Sequence, residues 1–304
     1  MRRVSPIVAV FRQKTKKMML GKVNGPRQWC AKLNIDLVLR ARQTVVSNVL
    51  HDGPLRIQKS FLQPDGSCHV YLLHPPGGMV GGDQLSINIS SEDFTKVLLT
   101  TPSAGKFYRC LPNLSQKQMV QISLGESAHV EWLPQENIFF DGARADIETE
   151  VYLAKDSVFL GWEIQCLGRK ASGELFKGGS VTQRMRLYRE GRLVHRENLE
   201  VSPPAPLMLA GWGLNANNVF GTLFASLPEE RIKKTSTQIQ SVISKLNTIY
   251  FAQNWGFTLK ESIILGRYLG ESVEECRAGL NEMRLMLDAE GVCESGSMPR
   301  IWKT

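Results

Sequence analysis

The chain has 304 residues, 42% of them hydrophobic and 22% charged, a composition that fits a soluble globular protein able to bury one extensive core. Its formal net charge of +8 sits at one end: residues 1–35 carry nine Lys or Arg and no Asp or Glu, leaving 28 basic against 29 acidic residues in the rest. A near-neutral body offers no basic face for nucleic acid, and no apolar run approaches the roughly 20 residues of a membrane-spanning helix.

The basic head, residues 1–28, matches no targeting signal. A secretory signal needs a compact apolar core behind its charges, and residues 6–11 are too few; an organellar transit peptide is serine-rich, and this segment has only Ser5. The head therefore reads as a disordered tail, or as translation begun upstream of Met18 or Met19. The six cysteines are scattered with no CxxC pair, which argues against a disulfide framework and for a reducing, cytoplasmic setting.

Folding is expected to begin near Trp29, and from there to about Ala225 the sequence predicts many short strands. Segments 45–50, 55–62, 68–73, 96–101 and 119–124 are β-branched or apolar, and turn residues such as His51-Asp52-Gly53-Pro54 and Pro64-Asp65-Gly66 punctuate them. Ala128, Val130 and Trp132 should share one strand face, with His129 and Glu131 on the other. Ile147, Thr149, Val151 and Leu153 alternate with Glu148, Glu150 and Tyr152, the period-2 signal of a half-buried strand. Across 158–167, residues Val158, Leu160, Trp162, Ile164 and Cys166 line one face. Glu190-Gly191 marks a hairpin between 181–189 and 192–201.

Helical spacing takes over after Ala225. Ser226-Leu-Pro-Glu229 has the pattern of a capping box with proline just inside the helix, followed by Ile232, Ile239, Ile243 and Leu246 on one stripe. Ser272-Val-Glu-Glu275 is a second such box, followed by Val273, Cys276, Leu280, Met283 and Leu287. Helices are thus predicted at about 228–246 and 272–289, with a hairpin around Asn254-Trp255-Gly256 between them. No repeat or linker interrupts the chain, so residues 29–304 read as one β-rich domain with two C-terminal helices.

The densest motif is 73–109, where Gly77-Gly78-Met79-Val80-Gly81-Gly82 ends on Asp83. A phosphate-binding loop needs a lysine followed by Ser or Thr after its glycines. Here an anion closes the turn, and Lys106 is followed by Phe107. Leu85, Ile87 and Ile89 alternate with polar residues as a strand does, whereas a dinucleotide fingerprint requires a helix. A nucleotide site is excluded, leaving Asp83 either to cap the turn or to face an ion or partner. Cys68, His69 and His74 lie close in sequence, but strand alternation separates Cys68 from His69, so they read as a chance cluster. Glu131, and Glu163 with Gln165, sit within strands. They belong either to a solvent-facing side, the simpler reading, or to a hydrated channel through the β core. No nucleophile elbow or catalytic-cysteine signature is present.

Five stretches, in order, carry a family resemblance: LHPPGGMVGGD (73–83), LLTTPSAGKFYR (98–109), EWLPQENIFFDGAR (131–144), LGWEIQCLGRKASGE (160–174) and PRIWKT (299–304). Together the chain from Trp29 to Thr304 resembles the urease accessory protein UreD, also called UreH. The resemblance implies strands wound into a helical β-sheet stack plus two helices. It implies a non-catalytic maturation factor that binds apo-urease and UreF, and UreG through UreF. It also implies that Ni²⁺ passes transiently through an internal tunnel, with no tightly bound cofactor. A cation in transit needs weak oxygen ligands, because a tight site would trap it. On that basis Asp83 and Glu163, and then Glu131, are the path candidates, with Glu174 a further carboxylate in a family motif. The alternatives are a purely structural adaptor and a metal-dependent hydrolase.

Overall fold

The structure is a computed structural model that describes residues 29–250 and 254–303, so the basic head 1–28 lies outside the described residues. In chain order the strands are β1 (Cys30–Arg40), β2 (Gln43–Asp52), β3 (Arg56–Ile57), β4 (Phe61–Leu62), β5 (Cys68–Leu73), β6 (Gln84–Ser91), β7 (Lys96–Thr100), β8 (Gly105–Phe107), β9 (Gln116–Leu124) and β10 (His129–Trp132). They continue as β11 (Asn137–Phe139), β12 (Arg144–Leu153), β13 (Val158–Arg169), β14 (Glu174–Leu175), β15 (Ser180–Arg189), β16 (Arg192–Val201), β17 (Val219–Ser226), β18 (Trp255–Lys260) and β19 (Ile263–Gly270). The helices are α1 (Pro206–Leu209), α2 (Glu229–Lys234), α3 (Ser236–Ile249) and α4 (Val273–Ala289).

Two sheets face each other. The first has the order β16-β15-β12-β9-β6-β1-β2, and the second runs β18-β19-β17-β13-β10-β7-β5-β3 with short strands added beside β13 and β5. Consecutive long strands alternate between them: β5, β7, β10 and β13 lie in the second sheet, β6, β9, β12 and β15 in the first. Within each series neighbours are parallel. A parallel neighbour requires the chain to return to its starting end before pairing. Here the return crosses the opposite sheet instead of a helix, so the chain winds as a coil. The helical β-sheet stack implied by the resemblance is the fold observed.

Burial follows the sequence patterns. Strand β12 alternates buried and half-buried at every residue, because the first sheet packs on one face only. Strand β13 is buried through eleven consecutive residues, because the second sheet is covered on both faces. Its inner face joins the inter-sheet core through Phe159 and Leu167. Its outer face (Leu160, Trp162, Ile164, Cys166) packs with Ile239, Val242 and Leu246 of α3 and with Cys276, Leu280, Met283 and Leu287 of α4. The predicted face assignments of 128–132 and 158–167 are both observed. The β15–β16 hairpin turns at Glu190 and Gly191, both with positive φ (51° and 74°), as a two-residue primed turn requires.

Three local expectations change. Segment 55–62 forms two strands of two residues each instead of one. Ser226 caps no helix: it ends β17, fully buried, and accepts a hydrogen bond from Arg189 Nη2 at 3.1 Å, while helix formation waits until Glu229 and restarts at Ser236. The C-terminal hairpin exists, but its turn lies at Glu261-Ser262, and Trp255 and Gly256 are inside β18. The second capping box holds, with Glu275 N–H donating to Ser272 Oγ at 3.1 Å. Its reciprocal half is relayed: Ser272 N–H donates to the Tyr268 hydroxyl, which donates to the Glu275 carboxylate. No helix among the described residues is long and apolar enough to cross a membrane.

Candidate functional site: an inter-sheet cavity

Between the sheets lies a cavity of about 100 Å³, and its mouth is built from the glycine-dense stretch that dominated the sequence. The turn after β5 supplies His74, Gly77 and Gly78, and residues 101–106 supply the opposite lip. The two lips are fastened together, since Met79 N–H donates to Lys106 O at 2.7 Å and Tyr108 N–H to Met79 O at 3.0 Å. Close approach explains the glycine at 78, where a Cβ would lie 2.4 Å from the Tyr108 ring. The walls are apolar, with Leu85, Ile87, Val120 and Ile147 from the first sheet and Trp132 from the second. A water needs about 10–15 Å³ of such volume, so the cavity has room for several.

Its inner end is polar. Glu163 is 6% exposed and projects from β13 toward the first sheet. Thr149 Oγ1 donates to its Oε1 at 2.5 Å, and Gln183 Nε2 donates to its Oε2. Burial pushes this carboxyl above the usual range; the two hydrogen bonds oppose the shift, and the charge of Glu197 adds to it. Two residues along β13, Gln165 is fully buried with neither amide atom hydrogen-bonded to protein. The simpler sequence reading, that these strand acids face solvent, is overturned: the second sheet is covered on both faces, so Glu131 and Glu163 are both buried.

The three path candidates occupy three different settings. Asp83, 6% exposed, accepts a hydrogen bond from Val80 N–H at 2.9 Å and caps the glycine turn. It is not among the cavity-lining residues. Glu131 is in register with Leu160, three residues from Glu163, so β13 alternation puts Glu131 on the opposite face of the sheet. There it meets Arg284 of α4, with Nε to Oε1 at 2.6 Å and Nη2 to Oε2 at 3.0 Å, and Gly296 N–H adds a third bond at 2.8 Å. Both partners are buried. Glu131 thus anchors α4 and the C-terminal segment, and only Glu163 lines the cavity. Glu174 is engaged elsewhere: the Asp141 N–H and Arg169 hold its carboxyl below the usual range. Among the described residues no group of three or more His, Cys, Asp and Glu is placed to hold a metal.

Sequence reasoning did not find Arg284, Thr149 or Gln183. Arg284 falls within the apolar stripe of α4, one residue after Met283, and a charged residue there is a visible sign of a buried partner. Thr149 was visible too, as the one polar member of the inward row Ile147, Thr149, Val151, Leu153.

These features define a coiled two-sheet scaffold with a cavity that runs from a loop-built mouth to a buried carboxylate. Comparison with known proteins gives the family. The family model described as "UreD urease accessory protein" matches residues 30–303. The "Urease accessory protein UreD" of Saccharophagus degradans is 38% identical over 280 residues, covering 91% of this chain and 94% of its own. Those of Methylobacillus flagellatus and Dechloromonas aromatica are 37% and 36% identical, covering 91% and 95% of this chain and 95% and 100% of their own. The chain belongs to the UreD urease accessory protein family.

Proposed function

We propose that this protein acts in urease maturation as a scaffold that binds apo-urease and UreF, and UreG through UreF, and passes Ni²⁺ through its inter-sheet cavity. Family membership supports the maturation role. The observation that supports conduction is the cavity itself, which ends on the Glu163 carboxylate. Nickel is then cargo, held transiently. Around Glu163 the donors are oxygen and amide groups from Thr149 and Gln183, without thiolate or paired imidazoles, which suits brief binding.

Of the three carboxylates, this reading retains Glu163 on the path. Asp83 shapes the mouth through the turn it caps, and Glu131 is held by Arg284. A structural adaptor without conduction is the second reading, favoured by the mainly apolar walls. Co-expression of urease and its other accessory proteins with and without this chain tests the maturation role, with complex formation and urease nickel content as readouts. Unchanged nickel without the chain would refute it.

A further inference from the structure

The polar row does not stop at Glu163. Glu163 on β13 is in register with Thr222 on β17, and Thr222 with Arg267 on β19. Register partners project from the same face of a sheet, so all three point toward the first sheet; at ~4.8 Å per strand, Arg267 lies ~10 Å beyond Glu163. Across from them, Glu197 and His195 on β16 are in register with Met185 and Leu187, residues of the inter-sheet core. Arg267 crosses to pair with Glu197 where β16 ends one sheet and β18–β19 end the other.

His195 is the member without an assignment. Its side chain is 4% exposed, and its Nε2 lies 3.6 Å from Glu197 Oε1 with no hydrogen-bond partner. Buried polar atoms are hydrogen-bonded almost everywhere in proteins; among the described residues His69 and His129 Nε2 also lack a protein partner, but of the three only His195 Nε2 lies within 4.0 Å of a carboxylate.

We propose that His195 and Glu197 form a two-ligand subsite for a divalent cation at the far end of the row that begins at Glu163, with Arg267 holding the carboxylate when no cation is there. Imidazole and carboxylate are both ligand types for Ni²⁺. Two donors bonded at ~2.1 Å to one cation sit about 3.0–3.4 Å apart, so the observed spacing needs a closure of a few tenths of an ångström. Two protein ligands completed by water hold a cation weakly, and the guanidinium competes for one of them. Such a site hands a cation on instead of storing it. The choice of nickel rests on the proposed function; the ligand pair rests on the geometry alone.

Calorimetric titration of the purified protein with Ni²⁺ tests this. Arg267→Gln frees the carboxylate and should tighten binding at one site at least tenfold, and adding His195→Gln to that variant should abolish the gain. Arg267→Gln protein that binds no tighter than wild type, or a double variant that binds as tightly as Arg267→Gln, would overturn the subsite. Should Arg267→Gln fail to fold, paramagnetic Ni²⁺ titrated into the wild type should broaden the His195 imidazole resonances before those of the other four histidines. Earlier broadening at any other histidine overturns it. Urease nickel content with Glu163→Ala reads conduction separately, and a normal value there would leave the binding result intact.

Discussion

Replacing Arg284 with methionine should strongly destabilise this protein. The substitution removes both bonds to Glu131, at 2.6 and 3.0 Å, together with the Arg284 bonds to Gly296 O and Asn281 Oδ1, and leaves the Glu131 carboxylate 3% exposed with only the Gly296 N–H as partner. Breaking one side of a buried ion pair costs about 3–5 kcal/mol, against a total stability of about 5–15 kcal/mol for a domain. At mid-range, about 4 of about 10 kcal/mol, roughly two fifths of the stability should be lost, and no less than about a fifth. The double variant Glu131→Met/Arg284→Met removes the stranded charge and should return to within about 1 kcal/mol of wild type or exceed it. Urea unfolding followed by tryptophan fluorescence reads this as a midpoint that falls in the single variant and recovers in the double at constant m-value. Because Glu131 lies on the sheet face away from the cavity, the double variant should also load urease with nickel normally. A single variant that loses less than about 1 kcal/mol, or a double that loses as much as the single, would refute the assignment of Glu131 to an anchoring ion pair.

The pH dependence of stability should expose Glu163. Its folded-state carboxyl titrates above the ordinary value of about 4.3 because it is buried. Its contribution is fully present below the unfolded pKa and is lost as pH rises through the raised folded pKa. Glu163→Gln should accordingly match wild type in acid and become increasingly more stable than it toward neutral pH; a constant difference across that range would contradict the burial argument. Trp302 stacks on Trp162 with ring centroids 5.5 Å apart and donates Nε1–H to Thr100 Oγ1 at 3.1 Å. Trp302→Ala should cost about 2–4 kcal/mol, scaled down from full Trp burial because the residue is half-buried, in the same unfolding assay. Ala104→Trp places a large ring at the cavity mouth and should lower urease nickel without disturbing complex formation, as measured by co-purification.

Much of the fold was legible because local pattern and tertiary packing agree. The alternation in 147–153 and 158–167 assigned the faces correctly, since both strands pack as their side-chain period demands. The box at Ser272 was legible because the cap is made within four residues. Ser226 misled for the opposite reason: its hydroxyl is used by Arg189, 37 positions away, and the preceding apolar residues 219–225 were needed as a strand. The site was less legible. Glu131 and Glu163 look alike in sequence, each an acid in an apolar strand, and only the relative phase of β10 and β13 puts them on opposite faces. The Glu131–Arg284 pair spans 153 positions, a distance over which no local pattern carries information.

The proposed passage of nickel past Glu163 can be read from nickel bound per urease active site after co-expression with Glu163→Ala. Co-purification must first show that the variant still assembles with urease and the other accessory proteins. If Glu163 lies on a nickel path, the complex should stay intact and its urease should carry markedly less nickel than urease co-expressed with the wild-type chain. An intact complex with fully loaded urease would contradict it and leave the protein a scaffold that does not conduct.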